Sequence, residues 1–98
     1  MPADFTTLAE SRQPADPAAP RHVSLAIGKR GPLHRALIRD SAAPGKGEAS
    51  AMDYDWRLAL IGARDRAGGR GVASDADGAA LLAAAIAECE AVMATRGT

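Results

Sequence analysis

The chain has 98 residues, enough for one small domain, and its twelve Lys and Arg balance twelve Asp and Glu. That neutrality argues against a polyelectrolyte partner for the chain as a whole, because phosphate binding is ordinarily written as a surplus of cations. Apolar residues make up 47%, but 24 of them are Ala and only 16 residues are Leu, Ile, Val or Phe, a composition that predicts a thin core.

Residues 1–20 open with one possible helical turn, in which Thr7 and Glu10 have capping-box spacing and Phe5 and Leu8 share a face. Pro14, Pro17 and Pro20 then disfavour helix and bring little to bury, so 1–20 is expected to be a flexible Pro/Ala-rich tail outside a single domain spanning 21–98. From Arg21 onward Val23, Leu25 and Ile27 alternate with polar or small residues, the period of a half-buried strand. Gly28-Lys29-Arg30-Gly31-Pro32 breaks that strand, and 33–39 returns as its hairpin partner; a short helix from Pro32 is the alternative.

Pro44, Gly45 and Gly47 mark 41–50 as a loop. Tyr54, Trp56, Leu58 and Leu60 alternate with Asp53, Asp55 and Arg57, which predicts a third strand over 53–61. A helix over 50–67 competes with it, carrying Met52, Trp56, Leu60 and Ala63 at helical spacing. Residues 62–71, rich in Gly and Arg, are expected to form a flexible basic loop. The last element is a helix of about twenty residues, capped near Ser74 and Asp77 and stopped at Gly97.

That helix has two faces. Leu82, Ala85, Ile86, Cys89, Val92 and Met93 form one stripe, the natural contact with a sheet. Ala80, Ala84, Ala87, Ala91 and Ala94 lie on the opposite side, spaced 4, 3, 4 and 3, with none of the Lys, Glu or Gln that usually solvate the back of an amphipathic helix. Small residues in that pattern let a second backbone approach closely, so this face is the candidate contact for a partner protein or a second copy.

Motifs for chemistry are absent. The Gly45-Lys46 step lacks both the upstream Gly and the downstream Ser or Thr of a phosphate-binding loop. His22 and His34 make a poor metal site without a third ligand, and the Asp53/Asp55 and Asp75/Asp77 pairs are accounted for as strand-face and helix-start charges. Cys89, the lone cysteine, falls in the apolar stripe where burial silences a thiol. No cofactor, metal or catalytic residue is therefore expected. With no charged start and apolar run at the N-terminus, no membrane span and no disulfide, the chain is expected to be cytoplasmic.

The fold expected is α+β: a small β-hairpin and a third strand packed against one C-terminal helix, with a mostly helical hairpin as the alternative. Trp56, Leu60, Leu82, Ile86 and Val92 belong to the core in both. The function expected is a non-enzymatic interaction or regulatory module, docking on another protein or on itself through Ala80, Ala84, Ala87, Ala91 and Ala94. The edge of strand 23–27 is a second possible contact. The alternative is a nucleic-acid-binding module in which Arg30, Arg35, Arg64, Arg66 and Arg70 of the Arg/Gly loops grip phosphates. The order short helix, three strands, helix is shared with double-stranded-RNA-binding domains, but Ser74-Asp75-Ala76-Asp77 stands where those domains carry a lysine cluster, so no family is assigned.

Overall fold

The computed structural model describes residues 5–16, 19–42 and 48–96. Strands β1 (Thr6–Asp16), β2 (Ala19–Arg30), β3 (Leu33–Asp40) and β4 (Glu48–Asp53) are followed by helices α1 (Trp56–Arg70) and α2 (Ala76–Arg96). The strands form one antiparallel sheet in the order β1-β2-β3-β4. The protein is thus α+β.

The alternation in β2 decides which face is inside. Val23, Leu25 and Ile27 are completely buried and stand opposite Asp40, Ile38 and Ala36 of β3; Ala49 and Ala51 of β4 and Ala9 and Ser11 of β1 continue the same face outward. Both helices lie on it, α2 over β1 and β2, and α1 over β3 and β4. Among the described residues, nine of the eighteen buried apolar side chains are alanine, which lets both helices sit close to the sheet with few large side chains between.

The hairpin forms where expected, but its turn is shorter. Lys29 and Arg30 still pair with His34 and Leu33, leaving Gly31-Pro32 as the connection, and Gly31 adopts φ +60°, which glycine tolerates without strain. Three other expectations are corrected. The segment placed outside the domain supplies β1, whose Ala9 and Ser11 are buried against the helices: proline at position 14 is tolerable on an edge strand, because the outer side of an edge needs no amide. Residues 48–53, of which 48–50 were expected to end a loop and 53 to begin the third strand, form β4; Ala49, Ser50 and Ala51 hid a strand that needs little volume because α1 covers it.

The third correction concerns 53–61 and the basic loop after it. Past Asp53, which ends β4, no strand forms there, and α1 occupies 56–70. Asp55 caps it with extended backbone and a carboxylate that accepts from the Arg57 N–H at 2.9 Å. Ala59, Leu60, Ala63 and Ala67 form its buried stripe. Gly71, at φ 76°, closes it: the Gly71 N–H donates to the last turn and the Val72 N–H reaches the Ala67 carbonyl at 2.8 Å. The period-2 pattern therefore misled, as Leu58 is 53% exposed and Tyr54 74%.

Helix α2 starts after Asp75, whose carboxylate accepts from the Gly78 N–H, one residue beyond the expected cap at Ser74. Leu82, Ala85, Cys89 and Met93 are buried as expected, Ile86 and Trp56 are half-buried, and Val92 is 41% exposed and so outside the core. By length and mean hydropathy alone (1.5 over its best eighteen residues) α2 is long and apolar enough to cross a bilayer.

Candidate interaction surface

Three features of the helical side carry the chemistry. The first is an ionic clamp at the α1–α2 connection. The Asp40 side chain is 1% exposed and accepts from Arg21 Nε and Nη2 at 3.0 and 2.7 Å, and from the backbone N–H groups of Ala42 and Ala73 at 2.9 and 2.8 Å. Arg21 uses its remaining edge on the two oxygens of Asp75, at 2.7 and 2.8 Å. One guanidinium thus ties β2 to β3 and to the start of α2. Hydrogen bonding to Arg21 holds both carboxyls below the usual range. The Asp40 contact also secures Ala73 in the left-handed region, at φ 51°, where alanine is strained. Nothing in the composition signals this group; Arg21, Asp40 and Asp75 meet only because the hairpin and the connection converge.

The second feature is a groove between the helices, about 520 Å³, above that connection. Val72, Leu82, Ala83 and Ile86 line it with apolar surface, and Arg64 and Ser74 stand among its walls. The third is the outward side of α2. Ala80, Ala84, Ala87, Ala91 and Ala94 are all exposed, on the side away from the buried stripe. Leu58 and Ile61 of α1 are exposed in the same layer, Ile61 at 44%.

The basic residues do not gather. Arg64, Arg66 and Arg70 lie on α1, in the helical layer, while Arg35 belongs to the opposite face of the sheet, with its guanidinium 5.6 Å from the centre of the Phe5 ring. Arg30 ends β2 at the hairpin. Arg21, in β2 of the hairpin, is taken up by the clamp. The strand 23–27 offers no edge, because β2 is paired on both sides. His22 and His34 lie at opposite ends of the hairpin: His22 is opposite Ser41, and His34 Nδ1 is 2.9 Å from the Tyr54 carbonyl oxygen. Among the described residues no three His, Cys, Asp or Glu side chains are placed to share a metal ion. Cys89 packs under α2 with Sγ 3.6 Å from the Leu25 carbonyl oxygen, and burial pushes its thiol up to about 11.

The fold and surface define a two-layer α+β domain with an uncovered helical layer. Comparison of the chain with protein-family models, with curated proteins and with solved structures finds no match.

Proposed function

We propose that this domain is a non-enzymatic interaction module that docks a partner protein on the outer side of its helical layer. One observation carries the proposal: α2 buries a single stripe, and its other side exposes Ala80, Ala84, Ala87, Ala91 and Ala94, in the helical layer that also exposes Leu58 and Ile61 of α1 and holds the apolar groove between the helices. Alanines at 4, 3, 4, 3 spacing let a foreign helix approach within about 8–10 Å, and the groove accepts larger side chains from it. The clamp supports this use, because it anchors the connection that closes one end of the groove before any partner arrives.

Ala87→Glu and Ala91→Glu test it. Both residues are exposed, so helix content by circular dichroism should be unchanged, while partner capture in a pull-down should be lost. Undiminished capture by both variants would remove the proposal.

A further inference from the structure

The sheet is open, and among the described residues no strand pairs with the outer edge of β1. Backbone directions on that edge follow from β2. The His22 carbonyl accepts from the Ser41 N–H at 2.9 Å and its N–H donates to Ser41 Oγ at 2.8 Å, so the polar groups of His22 point toward β3. Alternation turns those of Val23, Leu25 and Ile27 toward β1, where they meet Gln13, Ser11 and Ala9. Glu10 and Arg12 therefore present their backbone N–H and C=O groups outward. Among the described residues their exposed side chains meet in a long contact within the strand, at 3.4 Å.

We propose that this edge pairs antiparallel with the same edge of a second copy, in a register centred on Ser11. Glu10 then faces Arg12 of the second copy, and Arg12 faces its Glu10; each pair exchanges both backbone hydrogen bonds and adds an ion pair. The neighbouring two-fold registers set Glu10 against Glu10 or Arg12 against Arg12, so charge selects one alignment. Edge β4 lacks this property: by the same alternation its outward residues are Glu48, Ser50 and Met52, with one charged type and no opposite partner in any two-fold register.

The helices fit the same arrangement. Because α2 lies over β1 and β2, strands about 4.8 Å apart place the two α2 axes about 10 Å apart across the two-fold, near the spacing of packed helices. The flank of α2 on that side is identified by Glu88, whose carboxylate accepts from Ser11 Oγ at 2.8 Å. Leu81 and Val92 share the flank, one two turns before Glu88 and the other one turn after it, and Val92 is 41% exposed. Antiparallel packing about this point sets Val92 against Ala84 of the second copy. The two Glu88 carboxylates approach each other at the axis, an opposing contribution.

The pairing shares Ala84 with the α2 face used for a partner, but its tests change Glu10, Arg12, Glu88 and Val92 while those of the docking face change Ala87 and Ala91, so the two proposals fail separately. The test is the molar mass of the full chain by light scattering across a dilution series. A dimer of twice the 10.0 kDa chain is expected. Arg12→Glu or Glu10→Arg alone puts like charges in both pairs and should weaken association at least about tenfold. Mixing the two variants restores complementarity and should yield a heterodimer, and the double exchange should dimerise again. Glu88→Gln should tighten the dimer, and Val92→Arg should weaken it with circular dichroism unchanged. A wild-type chain that stays monomeric at high concentration, or single variants that associate as well as it does, would overturn the proposal.

Discussion

Replacing Arg21 by Met removes the guanidinium and keeps most of the apolar stem. The Asp40 carboxylate, 1% exposed, then loses its two charge-assisted hydrogen bonds and keeps only the N–H groups of Ala42 and Ala73. Breaking one partner of a buried pair costs about 3–5 kcal/mol, and the lower end applies because Arg21 itself is 17% exposed. A loss of about 3 kcal/mol is a large share of the roughly 5–15 kcal/mol of a small domain, and at about 4–8 °C per kcal/mol it lowers Tm by roughly 12–24 °C. Urea titration followed by circular dichroism reads it as a fall in midpoint. The pH dependence has a definite sign. In the wild type the Asp40 carboxyl lies below its ordinary 3.8, so its stabilising contribution is present above about pH 4 and fades as pH falls below that. Without Arg21, burial is opposed only by the Ala42 and Ala73 N–H groups, so the carboxyl rises from its wild-type position, protonation costs the variant less than the wild type, and the gap narrows as pH falls below about 4. Arg21→Met/Asp40→Asn, which removes the stranded charge, should be more stable than Arg21→Met at pH 7. A loss under about 1 kcal/mol, or a gap that widens in acid, would refute the role given to the clamp.

Two glycine substitutions in helices should move stability in opposite directions. Gly69→Ala, with open space around the new methyl, should stabilise α1 by about 1 kcal/mol. Gly78→Ala should destabilise despite its helical position, by about 1–3 kcal/mol, because the methyl would lie 2.6 Å from Arg21 Nη2 and 2.8 Å from the Ala73 Cα; denaturation midpoints decide both. Ala63→Leu, at a completely buried site under α1, should cost about 1–3 kcal/mol by overpacking the thin core, again read as a lower midpoint. Cys89 should react with a thiol reagent at pH 8 only as fast as the protein opens, with the rate rising sharply in denaturant; rapid labelling of the native state would contradict its burial.

Local pattern determined much of this protein. Alternation in 23–27 and the glycine and proline after it specify a hairpin whichever elements surround it, since a strand with one buried face repeats every two residues; the returning strand, however, turns Ala36 and Ile38 to the core and not Leu33 and Leu37, as their spacing suggests. The stripe from Leu82 to Met93 and the acidic start of α2 are equally local, and so are the alanines proposed as a docking face. Tertiary context decided the rest. Residues 53–61 fit both periods, and burial of Ala59, Ala63 and Ala67 on β3 and β4 selected the helix, with the Asp55 cap and the Gly71 stop as the local signals that the strand reading passed over. β1 and β4 have too little apolar bulk to declare themselves; they become strands because β2 and β3 offer unpaired backbone on either side and the helices cover their small side chains. Arg21, Asp40 and Asp75 are remote in sequence, and only the converging ends of two strands and a helix connection desolvate and pair them.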